Sequence, residues 1–520
     1  MNKTAKGLLA LSGVLVLLGG GYAALRLTED KGGESESSSS SEVSSDNKQV
    51  IIISDPAPDG PAPDGPDNPN KSIEYGVIKT VDVKNQVDEL HVIQKSMNTE
   101  ESGISYTTYT LDGFQDVAME DSIIGTLANN ANELTSEDVI AENCTDIAKY
   151  GLENPQITAD IKYESGKEFR MLVGDEAPAG DASYVMIEGV DTVYTVRNSA
   201  LANYRKSAWD FVNTTLLAQP DELPIVKDLR IERGDIDYDI AIKYDEKTED
   251  SKYTGGTSSS HVLVEPTTAY LAVERSTDIT TGMFGLSAEG VYSVHCTEND
   301  IAEAGLKDPF CKVTMNCDDG NEYVLLLSEQ FTDSEYGKCY YGMMEGGNVI
   351  FIISGDNAKW ATVLPIDIAS KIFIASYVWN ITDLSVECNS GEKAEFKLEK
   401  KNPNENKESY KSEDFNVTKN GEAFDSERFR TFYGFIISGN AENFALGEQI
   451  PSSDPMVKLK YSDSYTGETT TFEFYEKTSM SALIVVNGEA KFTVTKSFVE
   501  TLIHNVQILD TDEEFKTTWK

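Results

Sequence analysis

Basic residues, histidine and metal-binding cysteine spacings are scarce in this sequence, and each scarcity narrows what the chain does. Lysine and arginine number 44 against 88 acidic residues, a formal net charge of −44. A nucleic-acid surface needs basic groups that displace counterions from phosphate, so the composition argues against a nucleic-acid partner. The four histidines, His91, His261, His295 and His504, stand far apart. Neither His-Glu-x-x-His nor Cys-x-x-Cys spacing occurs, which removes the common zinc motifs. No phosphate-cradling loop is present, because Gly19-Gly20-Gly21 lies inside an apolar run. Six cysteines are Cys144, Cys296, Cys311, Cys317, Cys339 and Cys388. They admit a disulfide, for instance Cys317 with Cys339. They equally admit small buried side chains, since Cys311 and Cys317 share one alternating apolar face.

What is there is a long chain able to build cores. At 520 residues, 39% hydrophobic and 9% aromatic, it has room for about three to four domains. Lys3 and Lys6 precede an uncharged stretch from Gly7 to Leu25, about 28 Å long as a helix and close to the hydrocarbon thickness of a bilayer. This predicts a transmembrane anchor over 1–27, single-pass, with a cytoplasmic N-terminus and the bulk of the chain extracellular. A cleaved signal peptide is the competing reading. Residues 28–71 predict a disordered tether. Glu34–Ser45 is serine- and glutamate-rich, and Pro-Ala-Pro-Asp-Gly recurs at 56–60 and 61–65. Such composition buries too little apolar surface to order itself.

An internal repeat organises the remainder. Val87–Val92, Val226–Ile231 and Ile381–Val386 carry a shared alternating strand pattern, followed by hairpin partners at Ser105–Leu111, Ile236–Ile242 and Ala394–Leu398. Downstream, Tyr150-Gly151-Leu152-x-x-Pro155 matches Ala304-Gly305-Leu306-x-x-Pro309. This is a helix stop, with a left-handed glycine, an apolar contact after it, and a proline that blocks resumption. Turn glycines follow at Gly166 and Gly320, fifteen residues after Gly151 and Gly305. A second hairpin (Tyr184–Val196, Tyr341–Ile353, Leu483–Val494) and a closing helix (Ser199–Val212, Asn357–Phe373, Lys496–Val506) complete each pattern. In the third unit Gly-Leu-x-x-Pro is degraded to Leu446–Pro455. The expected fold class is α+β: three tandem similar units of antiparallel β-hairpins packed with helices, over 72–222, 223–377 and a divergent 378–510, with an acidic tail at 511–520.

The anchor, the acidic Ser/Pro tether and the repeated Gly-Leu-x-x-Pro blocks with Gly-turn hairpins resemble the bacterial family labelled domain of unknown function 4340. Tyr150–Pro155, Gly166, Tyr184 and Val193–Val196 carry the match, and Gly305–Pro309, Gly320, Tyr341 and Ile350–Ile353 carry it again. Ala304 and Phe351 stand where the pattern has tyrosine. The resemblance implies an extracytoplasmic auxiliary part of a gliding-type ABC transporter, with ABC transporter subunits as partners. It carries over no catalytic, cofactor or metal residue.

Individual motifs add little chemistry. Ser390-Gly391-Glu392-Lys393 has the Ser-x-x-Lys acylation spacing but falls in an expected hairpin turn, not at a helix start. Asp235, Asp237 and Asp239 alternate as a solvated strand face would, although such a row also suits a hard cation. The reading is a non-enzymatic auxiliary or scaffold protein. The alternative is an extracellular module for cell-wall polymer, glycan or a surface protein, with Tyr340-Tyr341 or Tyr475 as stacking surfaces unless they pack on the core.

Overall fold

A computed structural model describes residues 49–57, 75–99, 105–178, 180–249, 259–405, 407 and 409–519. The expected anchor lies outside these residues. Among the described residues no helix is long and apolar enough to cross a membrane. Of the expected tether, residues 49–57 are described and carry structure: Ile51–Ile53 pairs antiparallel with Leu134–Thr135, and Ile53 is fully buried. A three-isoleucine run supplies the apolar surface that the Ser/Pro composition around it lacks.

The fold is mostly β with some helices: three large antiparallel sheets and the two-stranded one just described. From edge to edge the first sheet runs Ser105–Leu111, Glu89–Thr99, Ile78–Lys84, Ile157–Tyr163, Glu168–Glu176, Ala182–Ile187, Val193–Arg197 and Asp138–Ala141. The second is centred on Val226–Arg233 beside Cys311–Cys317, and the third on Ile381–Cys388 beside Val457–Asp463. In each, the last place is taken by a strand that precedes its neighbours in sequence: Asp138–Ala141, Gly290–Val294 and Asn443–Phe444.

Period-two patterning explains the strands. Ile157, Ala159, Ile161 and Tyr163 are buried while the residues between them are half-exposed, and Cys311, Val313, Met315 and Cys317 repeat this. The helices Asp121–Asn132, Val273–Thr280 and Ser426–Ile437 follow the early strands of the three sheets. One apolar core is continuous across the first two sheets, and a second core belongs to the third. The connector from the first sheet runs antiparallel to 285–288, with Leu216 N–H donating to the Leu286 carbonyl and Gly285 N–H to that of Leu217, both at 2.8 Å.

Several expectations are corrected. Val87–Val92 does not occupy the place of Val226–Ile231. It lies in the turn and the strand Glu89–Thr99, second from the edge, and the strand beside Ile157–Tyr163 is Ile78–Lys84. Ile78-Lys79-Thr80-Val81-Asp82-Val83 carries the same alternation, which any half-buried strand shares. The second-sheet partner strand is Ile240–Tyr244, so the aspartates at 235, 237 and 239 sit before it. The closing helices at Ser199–Val212 and Asn357–Phe373 are broken into single turns, the second interrupted at Pro365. Only Lys496–Gln507 is a continuous helix. The stop before Gly151 is a 3-10 turn, Ala148–Tyr150. The C-terminal tail is packed: Phe515 is 8% exposed, and Trp519 meets Phe498 at 4.9 Å between ring centroids.

Candidate functional site

The glycines of the two Gly-Leu-x-x-Pro blocks adopt the backbone their role demands. Gly151 and Gly305 have φ of 71° and 72°. Gly305 N–H donates to Ala302 O (3.1 Å) and Leu306 N–H to Ile301 O (2.9 Å). Gly151 N–H reaches Ala148 O (3.0 Å) and Leu152 N–H reaches Ile147 O (3.2 Å). Both patterns satisfy the terminal carbonyls of a helical turn. Leu152 and Leu306 are each 1% exposed. They nucleate small apolar patches on the sheet faces opposite the main core. Tyr150 and Leu152 pack with Val193, Leu172 and Tyr184, the Tyr150 and Tyr184 rings 4.8 Å apart. Ala304 and Leu306 pack with Val324, Leu326, Met343 and Ile350. Pro155 and Pro309 are half-buried behind them. Gly166 and Gly320 lie elsewhere, as left-handed residues of hairpin turns with open space around them.

Residues 110–309 match the family model described as domain of unknown function (DUF4340). Over this stretch the chain is similar to the DUF4340 family. No curated protein and no solved structure matches the chain. The DUF4340 match contains both Gly-Leu-x-x-Pro blocks, ends at Pro309, and leaves the third sheet outside it. The glycine and leucine positions of both blocks pack the outer sheet faces, a structural role.

The chemistry-bearing side chains are dispersed. His91 pairs with Asp82, His295 with Asp116 at 3.0 Å, and His504 with Glu513 at 3.5 Å. Asp235 is bound by the Arg233 guanidinium at 2.6 Å and Asp239 by Arg230, so both already have cationic partners. Ser390 bonds Glu392 and Lys393 pairs with Glu387, which separates the two members of the Ser-x-x-Lys spacing. All six cysteines are free. Cys317 and Cys339 are not on neighbouring strands, because Glu322–Leu327 lies between theirs. Burial pushes the Cys311 and Cys388 thiols up to about 12 and Cys317 up to about 11, away from the reactive thiolate. Among the described residues no group of three or more His, Cys, Asp or Glu is placed to hold a metal ion. Tyr340 and Tyr475 are buried in the cores, and Tyr341 stacks on Phe331 at 4.3 Å.

His261 is the buried exception. Its Nε2 lies 2.8 Å from the Val226 carbonyl oxygen, which only accepts, so Nε2 carries the proton. Burial lowers the imidazole pKa, and the Lys227 charge lowers it further. The folded state therefore holds fewer protons than the unfolded state below the usual value of about 6.5, and stability falls as pH drops through that range. We expect the urea midpoint to be lower at pH 5 than at pH 7.5, and His261→Gln to flatten that difference. An unchanged slope in the variant would contradict the assignment.

Two cavities flank the connector after the second sheet, and the sequence reading passed over both. A cleft of about 410 Å³ lies between the second and third sheets, lined by Tyr270, Phe373, Asp463, Glu468, Lys491 and Phe492 among others. A smaller, mainly apolar cavity of about 290 Å³ lies between the connector and the helix Ser426–Ile437. Both are walled by Ile372, Ala375 and Ser376. The available signals were Gly434 near the end of a helix and the closely spaced aromatics Tyr377 and Trp379.

Proposed function

We propose that the protein is a membrane-anchored, extracytoplasmic scaffold or auxiliary subunit, built of three tandem units of one type, that works beside an ABC-type transporter. The observation that carries the reading is the order of segments: a lysine-flanked apolar run at 7–25, a Ser/Pro-rich acidic stretch, then a folded region containing the DUF4340 match. The tandem reading is supported by the shared sheet plan. In each sheet an early strand pairs with the strand that follows the helical crossover, four strands continue from there, and the last is out of sequence order. A non-enzymatic role is consistent with acidic groups already paired to arginines and with thiols held protonated by burial. The transporter link follows from the family resemblance.

Affinity capture of the tagged full-length protein from membranes is the test. We expect a permease and an ATPase subunit of ABC type in the eluate. Recovery of the tagged chain alone would reject the transporter association.

A further inference from the structure

The small cavity has three properties that the fold does not require. First, it is bordered by the exposed Gly434, in the last turn of the twelve-residue helix Ser426–Ile437. Glycine weakens a helix interior relative to alanine. Gly434 has no left-handed backbone to excuse it, and a Cβ placed there would meet nothing within 4 Å. Neither dihedral strain nor close packing calls for glycine at this position, and its effect is to leave the cavity open. Second, one wall is a stacked aromatic pair. Tyr377 and Trp379 stack at 4.5 Å with 13° between planes, and Tyr433 fixes the connector by donating its hydroxyl to the Ser376 carbonyl at 2.8 Å. Third, the rim holds Arg430. Every other arginine side chain among the described residues bonds a carboxylate, a side-chain oxygen or a carbonyl; the Arg430 guanidinium alone makes no hydrogen bond or ion pair. In a chain of net charge −44 an unpaired guanidinium is conspicuous.

From these we infer that the cavity beside Gly434 is a binding site for a small apolar or aromatic carboxylate, with its body against Tyr377 and Trp379 and its carboxylate on Arg430. Pockets for small molecules have this composition: a largely apolar interior with a few placed polar groups. Guanidinium recognises a carboxylate through two parallel N–H donors. At about 290 Å³ the cavity sits at the small end of such pockets. The site stands independently of any transporter association.

The full-length protein should be titrated with 3-phenylpropionate and with its amide, following the fluorescence of Trp379, with Trp379→Phe as the signal control. We expect the acid to bind at least about tenfold more tightly than the amide. Arg430→Gln should remove that preference while leaving amide binding in place. Gly434→Leu should abolish binding of both while leaving the thermal midpoint unchanged or raised, because it fills open space and improves helix propensity. Three results would overturn the site: no binding of the acid, equal affinity for acid and amide, or saturable binding that persists in Gly434→Leu.

Discussion

Replacing Phe515 by alanine should lower the stability of the third sheet by about 3 kcal/mol, the range for truncating a buried aromatic. The residue belongs to a segment whose acidic composition reads as solvated tail. Instead the chain turns back after Lys496–Gln507 and is clamped across two helices. The Arg428 guanidinium donates to the carbonyls of Ile508, Leu509 and Glu513 at 2.7, 3.0 and 3.0 Å. Its plane lies 4.2 Å over the Phe515 ring. The Asn505 amide, fully buried, bonds the Lys516 backbone in both directions at 2.9 Å. Phe515 reaches Phe432, and Trp519 closes on Phe498 and Phe435. By contrast Glu514→Gln, on the exposed side, should change stability by less than about 0.5 kcal/mol. Hydrogen exchange in Ser426–Ile437 and Lys496–Gln507 would separate the two effects. Equal protection in Phe515→Ala and the parent would mean that the tail does not anchor these helices.

The two Gly-Leu-x-x-Pro blocks should respond unequally to the same substitution. Gly305→Ala should cost about 1–2 kcal/mol, the penalty for a side chain in the left-handed region. Its Cβ has room, since the nearest atom is Ser328 Cβ at 3.8 Å. Gly151→Ala carries that penalty and a collision as well, because its Cβ would stand 2.6 Å from the Asp175 carboxylate carbon and 2.8 Å from the Asp175 backbone nitrogen. The backbone would have to move, so the loss should exceed about 3 kcal/mol. The cause is the neighbouring strand. In the first sheet Gly174 lies so close beneath the turn that a Cβ on it would come within 2.1 Å of the Tyr150 carbonyl oxygen. At the matching place in the second sheet, Ser328 uses its hydroxyl to accept the Tyr341 N–H and to donate to the Glu329 carbonyl, at 2.9 and 2.8 Å. Chemical unfolding of the two variants, compared with the parent, tests the difference. Equal losses would refute the close approach.

These contrasts mark how far local pattern reaches. Alternation at Ile157–Tyr163 and Cys311–Cys317, the left-handed glycines 151, 166, 305 and 320, and the Asn487-Gly488 hairpin are set by short-range sterics and one-sided burial, and all are legible in the chain. The same logic misplaced Val87–Val92, because half-buried strands share one pattern and only pairing places each of them in the sheet. It also extended the closing helices through Ser199–Val212 and Asn357–Phe373, where tertiary packing of single turns overrides weak propensity.

The sequence by itself determined the composition, the excess of acid, the α+β class and the glycine-stopped blocks, because these depend on each residue's own conformational and solvation preferences. Tertiary structure decided that the acidic tail is a strap, since Phe515 and Trp519 find apolar partners about eighty residues away as well as nearby. It also decided that Asp235 and Asp239 are neutralised by arginines and that Arg430 is left unpaired beside a cavity. Burial, pairing and empty space are properties of how distant segments meet, and no local pattern carries them.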